Sequence, residues 1–260
     1  HRAKLREVLE KGGADQEPYF GFEQEYTFFS GAKPLGWPEQ GYPEPQGLYY
    51  CGIGASQIFG REIVEAHTQA CIDAGLNIYG VNAEVMGAQW EFQIGYRGFD
   101  GDDNDALVTL DHKTFATYLL LRIAEDFEVD VNFDNKPVKG DWNGAGCHTN
   151  FSTKSMRDPQ TGQQAIDEAI GLLEQKHQDH IEVYGFKNDE RLTGLHETCS
   201  ISEFRAGESD RGASIRIPLA VRKKGYGYIE DRRPGANSNS YLVAAKLIET
   251  ICLVKSNVTA

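Results

Sequence analysis

The sequence lacks the features of several large protein classes. Its 260 residues include 26 Lys or Arg against 39 Asp or Glu, a formal net charge of −13. It therefore lacks the basic surface with which nucleic-acid-binding proteins displace counterions. No apolar run approaches the roughly 18–20 residues of a membrane span, and no segment has the layout of a signal peptide. We therefore expect a cytoplasmic protein without nucleic-acid or membrane partners.

Disulfide frameworks and cysteine metal sites are also missing. The cysteines form an odd, widely spaced set without a C-x-x-C pair: Cys51, Cys71, Cys147, Cys199 and Cys252. We interpret them as buried, reduced thiols. There is no P-loop, no kinase-type Gly-rich loop with its partner motifs and no G-x-S-x-G elbow. The chain begins with His1 inside a helical pattern, so we expect it to be part of a longer polypeptide.

The periodicity of the apolar residues predicts an α+β protein. Helices are predicted over 2–11, 60–74, 105–129 (or from near 111), 163–184 and 238–255. Strands are predicted over 19–29, 76–82, 88–95, 129–133, 147–152, 212–218 and 225–231. Strict alternation of strand and helix is absent, which favours a mixed or mainly antiparallel sheet flanked by helices. The segment 30–57 is rich in Pro, Gly and aromatic residues, and it is either an active-site wall or a subunit contact.

Carboxylates recur on the predicted strands. Glu23 and Glu25 lie two apart on a strand whose other face is aromatic, so both point to one side. Their repulsion is relieved either by solvent or by a shared divalent metal. Glu84 and Glu91 lie seven apart, and a bend at Gly87 would bring them to one side. An exposed strand face is the alternative interpretation for each pair.

One histidine and several arginines accompany these carboxylates. His148 follows the Gly-rich run 143–146 and is either a structural residue or a ligand. Arg216 lies within an apolar strand, so it must reach a cleft or a buried acid, whereas the other arginines of the last third could be surface ion pairs. Tyr228, Glu230 and Arg232 share one face of a predicted strand. Oxygen ligands with one imidazole suit Mg²⁺ or Mn²⁺, and such a metal with arginines is typical of phosphoryl transfer.

Six ordered motifs resemble those of the glutamine synthetase family, and their residues are most similar to its eukaryotic-type (type II) branch. They are FGFEQEY at 20–26, NAEVM at 82–86 with QWEFQ at 89–93, NGAGCHTNFS at 143–152, RLTG at 191–194 with HE at 196–197, ASIRIP at 213–218 and YIEDRRP at 228–234. The resemblance implies ATP-dependent ligation of ammonium to L-glutamate through γ-glutamyl phosphate. It also implies a catalytic domain over 1–260 with a mainly antiparallel curved sheet lined by Glu residues, and a homo-oligomer of two stacked rings, a decamer.

The resemblance also implies roles for individual residues, with two or three Mg²⁺ or Mn²⁺ ions per site. Glu23, His148 and Glu230 would hold the metal on the nucleotide phosphates, and Glu25, Glu84 and Glu91 the metal nearer glutamate. The implied glutamate-binding residues are Asn143, Gly144, His148, Arg191 and Arg232. The implied nucleotide-binding residues are Tyr19, Ser152, Arg211, Arg216 and Tyr228. Glu197 resembles the flap carboxylate that closes the ammonium site and takes a proton, and Arg191 and Arg211 resemble transition-state groups.

The sequence departs from the family pattern in three ways. The N-terminal β-grasp domain, which completes the neighbouring subunit's site in the family, is absent from this chain. Tyr19 replaces the Trp expected against adenine, and Gly87 replaces a Pro. Two other functions are considered: a related γ-glutamyl-amine ligase and a non-catalytic assembly protein. Glu197 argues against the first and the matched metal-ligand positions argue against the second.

Overall fold

Nine strands form a single sheet in the computed structural model, which describes residues 1–253. The strands are Tyr19–Ser30 (β1), Lys33–Pro34 (β2), Ile78–Ala83 (β3), Gln89–Gly95 (β4), Asp130–Asn132 (β5), Cys147–Ser152 (β6), Ala206–Glu208 (β7), Ile215–Ile217 (β8) and Ile229–Asp231 (β9). Their order is β3-β4-β1-β6-β9-β8-β7, with β2 and β5 also paired to β1. All pairs are antiparallel except β7 with β8. The α+β prediction with a mainly antiparallel sheet is confirmed.

Helices flank this sheet. They are Arg2–Glu10 (α1), Arg61–Asp73 (α2), Ala106–Asp126 (α3), Lys154–Arg157 (α4), Gly162–Gln175 (α5), His177–Ile181 (α6), Leu219–Lys224 (α7) and Ser240–Ile248 (α8), followed by a π-helical turn over Glu249–Leu253. The carboxylate of Asp105 caps α3 by accepting hydrogen bonds from the backbone N–H groups of Leu107 and Val108. The helix therefore starts directly after residue 105, as the first of the two predictions has it, and not near residue 111. Among residues 1–253, no helix is both long and apolar enough to cross a membrane.

The central strand β1 is buried more completely than its alternation predicts. Phe22, Tyr26 and Phe28 are fully buried on one face, as expected. On the other face Glu25 is only 7% exposed and Thr27 is fully buried, so the prediction of a half-buried strand is wrong. Neighbouring strands on both sides and the side chains of the cleft exclude solvent from the second face.

The other differences from the predicted elements have tertiary causes. The helix predicted over 163–184 is interrupted at Lys176, between α5 and α6. There His177 turns inward, with Nε2 2.9 Å from the Ile201 carbonyl oxygen and Nδ1 3.0 Å from an Nη of Arg233. The short elements β2, β7, α4 and α7 were not predicted. The predicted end of the last helix, 254–255, lies outside the described residues.

The cysteine prediction is correct for four of the five residues. Cys71, Cys147, Cys199 and Cys252 are buried, and all five are free thiols. Cys51 is exposed, because it lies in the 30–57 segment on the surface. The expectation that every thiol is buried is therefore wrong at this position.

A glycine pair at the β1–β4 interface allows a test of the sheet. Gly95 lies opposite Gly21, and a Cβ on Gly95 would come within 2.5 Å of the Phe20 carbonyl oxygen and 2.6 Å of the Gly21 Cα. Both are backbone atoms of the central strand and cannot move aside. We expect Gly95→Ala to lower the free energy of unfolding by at least about 2 kcal/mol in urea titrations.

Gly171 provides the matched control for this substitution. It lies inside α5, where an added Cβ meets no atom within 4 Å. Gly171→Ala should therefore raise the free energy of unfolding, by up to about 1 kcal/mol, because alanine favours the helix. Equal effects of the two substitutions would contradict the predicted close packing of β1 on β4.

Candidate active site

Strand register builds the centre of the site. Glu23 and Glu25 point to the same side of β1 because side chains two apart share a face. The β1–β4 register places Glu91 opposite Glu25, and the β1–β6 register places His148 opposite Glu23. The next strand, β9, adds Glu230 opposite Asn150. Two groups of possible metal ligands therefore lie side by side on the sheet.

The first group consists of Glu23, His148 and Glu230, whose ligand atoms lie within 4.8 Å of one another. His148 Nδ1 is 3.4 Å from a Glu23 oxygen and 3.5 Å from a Glu230 oxygen. Burial and the charge of Arg232 lower the pKa of His148 well below its usual value. The imidazole is therefore neutral, which is the form that binds metals.

The second group consists of Glu25, Glu84 and Glu91, again with ligand atoms within 4.8 Å of one another. Burial and the charge of Glu84 raise the pKa of Glu25 to about 8. Burial and the neighbouring carboxylates also raise the pKa of Glu91 well above its usual value. Three buried carboxylates without a cation are unfavourable, so their oxygens fit a divalent metal such as Mg²⁺ or Mn²⁺.

Side-chain amides orient these carboxylates. Asn82 donates to Glu84 at 2.7 Å and Gln93 donates to Glu91 at 2.7 Å. On the first group, Asn150 donates to Glu23 at 2.9 Å. The sequence motifs gave these amides no role. Their position two residues before or after a candidate ligand, or in a paired strand, is the signal that could have found them.

The turn between β3 and β4 brings Glu84 and Glu91 together, as predicted from Gly87. The residue in the left-handed conformation is not Gly87 but Ala88, with φ of 67°. The Glu84 N–H donates a hydrogen bond of 2.9 Å to the Gln89 carbonyl oxygen, and this bond closes the turn. The predicted bend is present, and Gly87 lies within it next to Ala88.

Four arginines surround the two groups. Arg216 and Arg232 donate to Glu230 at 2.9 and 2.5 Å, so Arg216 reaches both the cleft and a buried acid, as predicted. Arg191 is buried and its Nη2 lies 3.1 Å from His148 Nε2. Arg211 is half-exposed beside Tyr50. The remaining arginines of the last third do not line this cleft: Arg205 and Arg222 form surface ion pairs and Arg233 is buried against Asp231.

A cavity of about 230 Å³ contains most of the predicted residues. It is lined by Glu23, Glu25, Tyr50, Asn82, Glu84, Glu91, Gln93, Asn143, Gly144, His148, Arg191, His196, Glu197, Thr198, Arg211, Arg216 and Arg232. The turn carrying Asn143 and Gly144 is held by Gln89, which accepts from the Asn143 amide at 3.1 Å and donates to the Gly144 carbonyl at 2.8 Å. The arginines of this cavity could bind an anionic substrate. Its carboxylates could bind metal ions next to that substrate.

The flap, residues 193–198, forms one edge of this cavity. Both His196 and Glu197 have left-handed backbone conformations, with φ of 50° and 59°. Thr198 holds the turn through its hydroxyl, which contacts the Leu195 carbonyl oxygen at 2.7 Å. The Glu197 carboxylate lies 3.5 Å from Arg211 and is about half exposed. Strained turns of this kind occur frequently at functional sites.

A second cavity, of about 480 Å³, contains the other predicted nucleotide residues. Tyr19, Ser152 and Tyr228 line it, whereas Arg211 and Arg216 line the first cavity. Asn150 lines the second cavity and donates to Glu23 in the first, so the two share a wall.

The second cavity also contains groups that sequence analysis missed. Arg157 lies 3.5 Å from the centre of the Tyr19 ring and donates to the Ser152 hydroxyl at 2.9 Å. Tyr96 contacts Tyr19 with ring centroids 4.6 Å apart. Aromatic rings with a guanidinium group suit a planar base and its phosphates. No local motif marked Arg157, because only the fold brings α4 against the start of β1.

Comparisons with known proteins agree with this geometry. Residues 2–167 match a family model described as the glutamine synthetase catalytic domain. The chain is 51% identical over 97% of its length to the glutamine synthetase of Debaryomyces hansenii, of which it covers 66%. It is 55% identical over 96% of its length to the glutamine synthetase of Streptomyces viridochromogenes, of which it covers 71%.

A solved structure described as "Apo GmaS without ligand" has a similar fold. Its TM-score is 0.76 at 20% identity, with 98% of this chain and 58% of that chain covered. At this identity the similarity concerns the fold alone. The chain spans about two thirds of the length of the curated relatives named above.

Proposed function

Because the chain belongs to the glutamine synthetase family, we propose that the whole protein joins ammonia to L-glutamate, with ATP converted to ADP and phosphate. The observation that carries this proposal is the pair of ligand groups built by strand register, with arginines around them and a carboxylate on the flap. The set combines sites for two cations with sites for two anions. Ligation of a carboxylate through an acyl phosphate requires both.

We propose that the two ligand groups hold Mg²⁺ or Mn²⁺, which would offset the charge of the phosphates and of the substrate carboxylate. Glu23, His148 and Glu230 would serve the nucleotide side, since they lie next to the second cavity through Asn150. Glu25, Glu84 and Glu91 would serve the glutamate side, since Glu25 accepts from the Gly146 N–H. Both assignments agree with the roles that the family resemblance implies.

In the first step a γ-carboxylate oxygen of glutamate attacks the terminal phosphorus of ATP, and ADP leaves. Arg191 and Arg232 lie where they can bind the carboxylates of glutamate, and Asn143 and Gly144 offer amide and carbonyl groups at the same cavity. Arg211 and Arg216 would stabilise the charge on the phosphoryl group as it moves. The product of this step is γ-glutamyl phosphate.

In the second step ammonia attacks the acyl carbon and phosphate leaves. Glu197 lies at the edge of the cavity and can bind ammonium. Ammonium releases one proton to solvent to become the nucleophile ammonia, and Glu197 can then accept a second proton from the adduct. The flap must also exclude water, because water would hydrolyse the acyl phosphate.

The nucleotide would lie in the second cavity, with its base beside Tyr19 and Arg157 and its phosphates towards Ser152 and Arg216.

We further propose that residues 1–260 form the catalytic domain of a ring-shaped homo-oligomer, in which a β-grasp domain of the neighbouring subunit completes each site. The resemblance supports two stacked rings of five. Light scattering on the full-length protein would test this assembly, and a monomer with full activity would contradict it.

The experiment that tests the function measures products of the full-length protein supplied with glutamate, ATP and either ammonium, ethanolamine or a polyamine. We expect glutamine with ammonium, together with one ADP and one phosphate per glutamine. Formation of a γ-glutamyl amine but no glutamine would favour the related amine ligase. No product with any amine, despite Mn²⁺ binding, would favour the non-catalytic assembly protein.

A further inference from the structure

The 30–57 segment reaches the active site through Tyr50, which lines the first cavity, and through Gln46, which contacts two of its walls. Gln46 Oε1 accepts from the Asn143 backbone N–H at 2.7 Å, and Gln46 Nε2 lies 3.2 Å from His196 Nδ1. Asn143 belongs to the turn on the glutamate side of the cavity and His196 belongs to the flap. A single amide therefore joins two walls of the cavity that are 53 residues apart in the sequence.

The chemistry of these contacts determines how the groups are oriented. A backbone N–H only donates, so the oxygen of the Gln46 amide must face Asn143 and its NH₂ must face His196. His196 Nδ1 is then the acceptor and Nε2 carries the proton. Nε2 lies 3.2 Å from an oxygen of Asp141, which can accept that proton. The imidazole is thereby held from both sides.

The backbone that carries Gln46 is firmly attached to the rest of the domain. Gly47 N–H donates to the Val85 carbonyl at 2.6 Å, one residue from the candidate ligand Glu84. Tyr49 is buried, and Trp37 from the same segment packs on Trp142 with ring centroids 4.7 Å apart. Gln46 is therefore presented from a fixed position, and the flap is the part that it can hold.

We propose that Gln46 is a positioning residue that holds the flap closed over the acyl phosphate by binding His196, the neighbour of Glu197. His196 and Glu197 both have left-handed backbones, a conformation that non-glycine residues adopt only when their surroundings hold them. The bond from Gln46 is one such restraint. Its loss lets the turn relax, which moves the Glu197 carboxylate and admits water. This inference rests on the proposed function.

The test uses Gln46→Met in the full-length protein, which keeps the side-chain length and removes both hydrogen bonds. Hydrogen–deuterium exchange of residues 193–198 should become faster while the melting temperature stays nearly unchanged. Loss of a hydrogen bond of this kind predicts a fall of about five- to tenfold in kcat/KM for ammonium. The ratio of glutamine to ADP should also fall, and KM for ATP should not change, because the second cavity does not involve Gln46.

Further variants separate this role from a general effect on folding. Gln57→Met changes the same residue type at an exposed position of the same segment and should leave all five readouts unchanged. When His196→Phe is measured alone and together with Gln46→Met, the kinetic effects should sum to less than additive, because both changes remove the contact between Gln46 and His196.

The outcomes distinguish the two proposals. Unchanged flap exchange and an unchanged glutamine-to-ADP ratio in Gln46→Met would overturn the positioning role while glutamine formation by the unmodified protein still supports the function. Additive effects in the double variant would overturn the route through His196. If flap exchange became faster in Gln46→Met but the unmodified protein made no glutamine, the contact between Gln46 and the flap would be supported. Its role in ligation would be overturned.

Discussion

Glu25→Gln will change metal affinity and metal-free stability in opposite directions. Burial and, to a smaller extent, the charge of Glu84 raise the pKa of Glu25 to about 8. A neutral amide removes the cost of burying a charge as well as the repulsion, so the metal-free protein should become more stable. The same amide is a poor ligand for a hard cation, so the affinity for Mn²⁺ should fall by about 100-fold or more.

The sign of the pH dependence follows from the raised pKa values of this group. The folded, metal-free protein binds more protons than the unfolded chain between the ordinary carboxyl pKa and about 8, so its stability should decrease as pH rises through this range. The total is on the order of a few kcal/mol at one pKa unit per about 1.4 kcal/mol. Glu25→Gln should make this decrease shallower. Mn²⁺ affinity of the unmodified protein should increase over the same range, because binding displaces protons.

Calorimetric titration with Mn²⁺ and urea unfolding in the presence of a chelator, both at pH 6 and pH 8, measure these quantities. Glu65→Gln is the matched control, since Glu65 is exposed on α2, and it should change neither the affinity nor the pH dependence. A metal affinity unchanged by Glu25→Gln would exclude a ligand role for this residue. If Glu25→Gln destabilised the metal-free protein, this would contradict an unfavourable charge at Glu25.

Asp231→Asn will produce the largest loss of stability that we predict, about 3–5 kcal/mol. Asp231 and Arg233 are almost completely buried, with side-chain exposures of 0% and 1%. Arg233 donates to both carboxylate oxygens, at 2.9 and 2.7 Å, and the Tyr184 hydroxyl donates at 2.7 Å. Burial opposes ionisation of Asp231, but Arg233 holds its pKa below the usual value. The amide would leave a buried guanidinium without its counter-charge.

This ion pair also supports the site, because Asp231 follows Glu230 on β9 and points to the opposite side. The loss of stability should therefore be accompanied by weaker Mn²⁺ binding. Urea unfolding of the metal-free protein measures the first effect and Mn²⁺ titration the second. Asp126→Asn, at the exposed pair of Arg122 with Asp126, makes the same chemical change on the surface and should have little effect. A loss under about 1 kcal/mol for Asp231→Asn would contradict the predicted cost of breaking the buried pair.

Local sequence patterns were sufficient for the long elements and insufficient for the short ones. Alternation identified β1, and the apolar stripe identified α2, because each pattern repeats along the element itself. The three-residue strand β7 has no period to detect and exists because it pairs with β8. The break between α5 and α6 was missed because the contacts of His177 with Ile201 and Arg233 come from distant segments.

The candidate site divides in the same way. The motifs located most residues of the first cavity, but they gave no role to Gln46, Arg157, Asn82 and Gln93. Gln46 and Arg157 contact residues far away in the sequence, Asn143 and Tyr19. Asn82 and Gln93 each contact a carboxylate only two residues away, and that contact depends on side-chain orientation within the folded sheet. The resemblance places Tyr19 where a Trp would lie against adenine. In the structure one of its faces is covered by Arg157 and Tyr96 lies against its ring as well.

The sequence by itself determined that Glu23 and Glu25 point to the same side of one strand, because the period of two is a property of the extended backbone. The family resemblance implies that they belong to different ligand groups, but only the tertiary structure brings the other members of each group beside them. The register of β1 places Glu25 opposite Glu91 and Glu23 opposite His148. That register depends on the packing of strands far apart in the chain, and a shift of one residue would turn these side chains to the other face.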